Sequence, residues 1–166
     1  MKEKVSILVV DDEESVRDSL YNWFIDVGYD VECADDAKKA LTMFESRDFD
    51  IILADIKMPG MDGFEMQRRI KTLNKDSIII IMTEFASVDT AVQALKEGAF
   101  DYVTKPFDPD DLTYLIRNAS NQIALRFENE NLKNKISTLE NVEDIIGESV
   151  ALNKLLKEVE SVAQSN

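Results

Sequence analysis

The sequence predicts an α/β fold in which five strands and intervening helices build a parallel sheet. Three observations predict it. Short apolar runs without alternation, such as Ile51-Ile52-Leu53-Ala54 and Ile78-Ile79-Ile80-Ile81, read as strands covered on both faces. Between such runs, apolar residues recur at helical spacing. Strand and helix then alternate five times from residue 5 to residue 123, which implies right-handed crossovers and helices on both sheet faces.

The elements follow in order. Residues 5–10 form the first strand and run into Asp11 and Asp12. Val16, Leu20, Phe24 and Val27 mark the first helix, and Gly28 stops it. Residues 30–33 are a short second strand, and Ala37, Ala40, Leu41 and Phe44 give the next helical stripe. Residues 51–55 are the third strand, which ends abruptly on Asp55. The Pro59-Gly60 pair blocks its continuation, and Asp62-Gly63 opens a helix carrying Met66, Ile70 and Leu73. Residues 78–82 are the fourth strand and end at Thr83, before a stripe of Val88, Ala91, Val92 and Leu95 that stops at Gly98. Residues 100–103 are the fifth strand, ending at Thr104-Lys105-Pro106, and Leu112, Leu115, Ile116, Ala119 and Ile123 begin the last helix. The flavodoxin-like strand order suits five such units.

The 166 residues suit one domain with extensions or two very small domains. A formal net charge of −14, from 33 acidic and 19 basic residues, argues against nucleic-acid binding by this chain. Cys33 is the lone cysteine, so no internal disulfide framework exists, which fits a reducing compartment. No signal segment follows Met1 and no run reaches membrane-spanning length, so a soluble cytoplasmic protein with no membrane partner is expected.

In an open parallel sheet, ligands bind beyond the carboxyl ends of the strands. Asp11, Asp12, Asp55, Thr83 and Lys105 all fall on that edge. Any one of them alone reads as a turn residue. Together they describe a chemistry. Clustered carboxylates repel, and a hard divalent cation with oxygen ligands relieves the repulsion; Mg2+ needs only two or three of them. Asp55 is then a nucleophile toward a phosphoryl group, making an acyl phosphate. Such transfer needs positioning and charge neutralisation, with Lys105 as a point charge and the Thr83 hydroxyl as a hydrogen-bond donor. The chain has no histidine, so the phosphoryl donor is another molecule.

The pieces Asp11-Asp12, Asp55 with Met58-Pro59-Gly60-Met61-Asp62-Gly63, Thr83, and Tyr102-Val103-Thr104-Lys105-Pro106-Phe107 stand in order at specific spacings. Through them, residues 5 to about 120 resemble a response-regulator receiver domain of two-component signalling. The resemblance implies that a sensor histidine kinase phosphorylates Asp55. It implies Mg2+ held by the carboxylates of Asp12 and Asp55, by Asp11 largely through water, and by the backbone carbonyl of Lys57. Lys105 would contact the phosphoryl group, with a cis Lys105-Pro106 bond. Thr83 and Tyr102 resemble the family's switch pair, the hydroxyl drawn inward and the ring rotating into the vacated space. Glu84 departs from the family, which usually has a small residue there; a carboxylate at that place hinders access of water or donor.

Beyond Ile123 a heptad begins. Leu125, Leu132 and Leu139 occupy d positions, and Gln122, Asn129 and Ile136 occupy a positions. A parallel dimer would pair Glu128 with Lys133 and Lys135 with Glu140, while Asn129 would favour two strands in register. Three heptads are short for a free coiled coil. Receivers commonly dimerise through the fourth helix, fifth strand and fifth helix, here about 87–97, 100–103 and 108–123, so those faces would share the interface. The tail, with Ile145-Ile146-Gly147-Glu148-Ser149 followed by Leu152, Leu155, Leu156 and Val159, predicts a short amphipathic helix capped by Ser149. It resembles the opening of the AAA+ domain in NtrC-type sigma-54-dependent activators. The expected organisation is a receiver over 1–123, a coiled-coil linker over 124–141, and an AAA+ stub over 142–166 that stops before any phosphate loop. In the longer protein the resemblance implies an ATPase domain, sigma-54 RNA polymerase and DNA as partners. Two alternatives remain: a pseudo-receiver serving only dimerisation, and an Asp-nucleophile Mg2+-dependent phosphatase. The haloacid-dehalogenase pattern Asp-x-Asp is not met, because Asp55-Ile56-Lys57 lacks the second acid.

Overall fold

The structure, a computed structural model, describes residues 4–84 and 87–163, with side chains of the last helix described through residue 138 and at Lys154. Five strands, β1 (Ser6–Val10), β2 (Asp30–Ala34), β3 (Ile51–Asp55), β4 (Ile78–Thr83) and β5 (Asp101–Thr104), alternate with α1 (Glu14–Val27), α2 (Ala37–Ser46), α3 (Gly63–Leu73), α4 (Val88–Lys96) and α5 (Pro109–Ala163). All pairings are parallel, in the order β2-β1-β3-β4-β5. This is the flavodoxin-like order expected from the alternation, with its switch point between β1 and β3. The chain divides into two units, Met1–Ile123 and Ala124–Asn166.

Within the first unit, every residue of β1, β3 and β4 is buried, which explains why their sequences show no alternation. Leu8, Val10, Ile52, Ala54, Ile79 and Ile81 pack on one side against α2, α3 and α4. Ile7, Val9, Ile51, Leu53, Ile78 and Ile80 pack on the other against α1 and α5. Each of the Val, Leu and Ile side chains among them stabilises the fold by roughly 1.5–3 kcal/mol. Helix starts are set by short polar side chains. Asp36 Oδ1 accepts from Lys39 N–H at 2.7 Å and Asp62 Oδ1 from Glu65 N–H at 2.8 Å, while Ser87 and Thr90 form a reciprocal capping box. Gly28 closes α1 at φ 104°, the left-handed cap its position predicts.

Three expectations change. Val88, Val92 and Leu95 do not face the core; they are 79%, 40% and 47% exposed. Ala94 is the residue of α4 that is fully buried, because this helix rests on the sheet through a small side chain and turns its branched stripe outward. Val27 and Leu73, the last residues of their helical stripes, are likewise exposed at 55% and 56%. The tail does not start a separate helix at Ser149, since α5 runs as one element from Pro109 to Ala163. The one glycine there, Gly147, costs a helix about 1 kcal/mol, too little to break a run of good helix formers. In the second unit, Leu125, Leu132 and Ile136 are 65%, 52% and 55% exposed, and Asn129 is exposed beside them. The side chain of Leu139 lies outside the described residues. Among the described residues, no helix is long and apolar enough to cross a membrane.

Candidate functional site

Four strand ends converge at the carboxyl edge of the sheet, and backbone bonds hold each in place. Asp11 follows β1 and its N–H donates to Ala34 carbonyl oxygen at 3.2 Å. Asp55 is the last residue of β3 and lies opposite Met82 of β4. Thr83 ends β4, and its carbonyl accepts from the Lys105 N–H at 2.7 Å. The Lys105-Pro106 peptide bond is cis. The loop after Asp55 is drawn tight by Gly63, whose N–H donates to Ile56 carbonyl oxygen at 2.9 Å. A Cβ on Gly63 would sit 2.3 Å from the carbonyl oxygen of Asp55. Only glycine lets α3 start this close to the strand end.

Lys105 is the hub. Its Nζ lies 2.6 Å from Asp11 Oδ2, 3.3 Å from Asp55 Oδ2 and 3.6 Å from Glu13 Oε1, with its side chain 7% exposed. Asp11 is fully buried; its other carboxylate oxygen accepts from Glu13 N–H at 3.0 Å, and Arg17 Nη1 donates to its carbonyl oxygen at 2.8 Å. Asp12, by contrast, is exposed. Burial pushes the Asp55 carboxyl above its ordinary value; the neighbouring Asp11 pushes the same way, and Lys105 and the Lys57 backbone N–H only partly oppose them. Burial pulls the Lys105 ammonium down, yet Asp11 and Asp55 together outweigh it and hold its pKa above the usual lysine range.

Carboxylate oxygens of Asp11, Asp12 and Asp55 lie within 4.8 Å of one another. Against the ammonium of Lys105, these three acids supply an excess of hard, negatively charged oxygen donors. That donor set fits a hard divalent cation of the Mg2+ type. Thr83 is 5% exposed at the β4 end, and Tyr102 is half-buried on the neighbouring strand β5, packed toward the α2, α3 and α4 side of the sheet. The two lie on adjacent strands, Thr83 opposite Thr104 and Tyr102 opposite Ile81. Lys57 is exposed, and its backbone N–H reaches the Asp55 carboxylate.

The sequence does not mark Glu13 or Arg17 as contributors, and it marks Gly63 only as the opening of a helix. Glu13 is a third carboxylate within reach of Lys105, Arg17 anchors the Asp11 backbone, and Gly63 permits the close loop. For Glu13 the signal was adjacency to Asp11-Asp12, whereas nothing in the pattern marks Arg17. Beside Lys105 opens a groove of about 500 Å3 lined by Glu13, Ser15, Val16, Ser19, Glu84, Pro106 and Phe107.

Residues 7–117 match the family of response regulator receiver domains. The chain is 36% identical over 159 residues to the regulatory protein AtoC of Escherichia coli (strain K12), covering 96% of this chain and 34% of that protein. It is 44% identical over 117 residues to the transcriptional regulatory protein ZraR of Klebsiella oxytoca, covering 70% and 26%. The chain thus spans only 26% to 36% of the length of the AtoC and ZraR relatives it matches. Among solved structures, NtrX from Brucella abortus superposes with a TM-score of 0.73 at 30% identity, over 78% of this chain and 29% of that one. The Vibrio cholerae chemotaxis protein CheY4 superposes at 0.67 and 30%, over 70% and 98%.

Proposed function

Because the chain belongs to the response regulator receiver domain family, we propose that Asp55 is its phosphoacceptor and that a sensor histidine kinase is the donor. The observation that carries this reading is the convergence of Lys105 on Asp55 at 3.3 Å and on Asp11 at 2.6 Å, at the edge where three acidic side chains gather. An Asp55 carboxylate oxygen attacks phosphorus and becomes an acyl phosphate, while the donor's bond to phosphorus breaks. Lys105, already charged and nearly buried, neutralises oxygens of the transferring group. Thr83 donates its hydroxyl hydrogen bond to the phosphoryl on Asp55, and Tyr102 turns inward as that hydroxyl moves. The carboxylates of Asp12 and Asp55, with Asp11 and the backbone carbonyl of Lys57, would hold Mg2+. When bound, Mg2+ shields the charge of the phosphoryl oxygens. The chain accepts one phosphoryl group and does not turn over substrate.

The readout is a change in pairing between two copies. The exposed apolar residues Val88, Val92 and Leu95 on α4 and Tyr114 on α5 supply one face. Leu125, Asn129, Leu132, Ile136 and Leu139 supply a parallel coiled-coil seam. In a longer protein of the relatives' length, this dimer would govern an AAA+ ATPase acting with sigma-54 RNA polymerase at DNA, in the cytoplasm. Residues 142–166 would be the start of that ATPase.

The test is intact-mass spectrometry after incubation with Mg2+ and phosphoramidate, paired with small-angle scattering under beryllofluoride, a phosphoryl mimic. One added phosphoryl group, lost in Asp55→Asn, together with a changed scattering profile, supports the reading. No adduct and no response to beryllofluoride would leave a dimerisation module, and repeated turnover of a phosphate ester would make the chain a phosphatase.

A further inference from the structure

We propose that Gln67 is a release device for α4: a buried side chain whose half-met hydrogen bonding keeps that helix weakly docked. The inference holds whatever phosphoryl chemistry Asp55 performs. Gln67 lies in α3 and is fully buried. Its Nε2 donates to the backbone carbonyl oxygen of Ala94 in α4 at 3.3 Å. Among the described residues, its Oε1 is buried with no hydrogen-bond partner. Turning the amide over gives no remedy, because Oε1 would then face the Ala94 carbonyl oxygen and Nε2 would lose its acceptor.

The balance of the two ends of this amide decides what it does. The Ala94 carbonyl already accepts from the Ala99 N–H at 3.0 Å, so it stays satisfied without Gln67. The bond from Nε2 is long, and it replaces one that the amide makes to water when α4 is lifted, so its net gain is small. An acceptor sealed away from water costs more than one such bond returns. Gln67 therefore weakens the packing of α4 on α3, where an apolar side chain of the same length would strengthen it. Few other contacts resist. Ala94 is the buried residue of α4, and it offers a single methyl group. Arg68 Nη1 pairs with Glu97 Oε2 across the same two helices at 2.8 Å, but the arginine is half-exposed and the pair is screened. At its start α4 is capped by Ser87 and Thr90, and Val88 there is exposed. When α4 lifts, water reaches Oε1 and the penalty is released. The helix that follows Thr83 and carries the exposed Val88, Val92 and Leu95 thus moves while the strands beneath it stay paired.

The experiment is hydrogen–deuterium exchange of the full chain, read by mass spectrometry on peptides from α4, β3 and β4. In the native chain the second half of α4 should exchange at least about tenfold faster than β3 and β4, because it opens without global unfolding. Gln67→Met keeps the length of the side chain and removes the unmet acceptor. It should slow exchange in α4 by about tenfold. Gln67→Leu should act in the same direction, so that the fit of one side chain does not decide the outcome. Arg68→Gln should change α4 exchange by less than about twofold. Slower α4 exchange in either apolar variant supports the proposal. Unchanged or faster exchange in both would show that the amide fastens α4, and overturns it. So does native α4 exchange as slow as that of β3 and β4, which would mean that the helix leaves only when the whole fold opens.

Discussion

Asp55 is held in the folded chain at an electrostatic cost. Burial and the nearby Asp11 raise its pKa above the ordinary carboxylate value of 3.8, so the folded state disfavours the ionised form. The sign follows from linkage: this group's penalty is absent below pH 3.8, grows as pH rises through the raised value, and is complete above it. Asp55→Asn removes that penalty while Lys105 keeps Asp11 as its partner at 2.6 Å. In EDTA at pH 7 the variant should therefore melt higher by on the order of a few degrees, and the gain should vanish near pH 3. Differential scanning calorimetry at the two pH values checks it. A variant no more stable at pH 7 would show that Lys105 fully offsets the burial of the Asp55 charge. Lys105 has the opposite linkage. Its raised pKa contributes stability that is present below the usual lysine range and is lost as pH climbs through the raised value.

At the scale of elements, the turn from β3 into α3 decides where Asp55 points. Gly63 is buried at the start of α3, and a side chain there meets backbone atoms of Asp55 and Ile56 at 2.3 to 3.0 Å. Backbone cannot step aside as a flexible side chain does. Gly63→Ala should lower stability by about 2 kcal/mol in urea denaturation and slow phosphorylation of Asp55 at the same time. Unchanged stability would mean that the loop relaxes without displacing the strand end. The Asp62-Gly63 pair was legible as a helix opening, but its reason was not. Sequence shows that a glycine stands there; only the approach of α3 to the carbonyl of Asp55 shows why. Helix α4 teaches the complementary lesson. Its stripe of Val88, Val92 and Leu95 has the spacing of a core face, yet it is exposed, and Ala94 makes the buried contact. Periodicity identifies a helix and an apolar side. It does not say whether that side meets the protein's own sheet or a partner.

For the whole molecule, the seam of the second unit is the feature that association would read. Leu125, Leu132 and Ile136 stand exposed at heptad positions, and Phe127, 50% exposed, lies off that seam. A charge at the seam tests whether two chains meet there. If the proposed seam pairs two chains, Leu132→Glu should weaken self-association by at least tenfold in sedimentation equilibrium, while phosphorylation at the proposed acceptor Asp55 is unchanged. An unchanged molar mass would move the interface to the α4 face or exclude pairing by this route.

By itself the sequence determined the five alternating units, the order in which they lie, and the identities of Asp11, Asp12, Asp55, Thr83 and Lys105 at strand ends. Those follow from local rules, since buried strands need unbroken apolar runs and chemistry in such sheets sits past their carboxyl ends. Tertiary structure alone decided which charges share one cation, that Glu13 joins them, that Asp12 is exposed while Asp11 is sealed, and that the apolar stripe of α4 looks outward. The physical reason is range. Periodicity and capping act over one turn of chain, whereas the contacts of Lys105 with Asp55 and Asp11 join residues 50 and 94 positions apart (105 − 55 and 105 − 11). Such distances are set only when strands pair and helices pack.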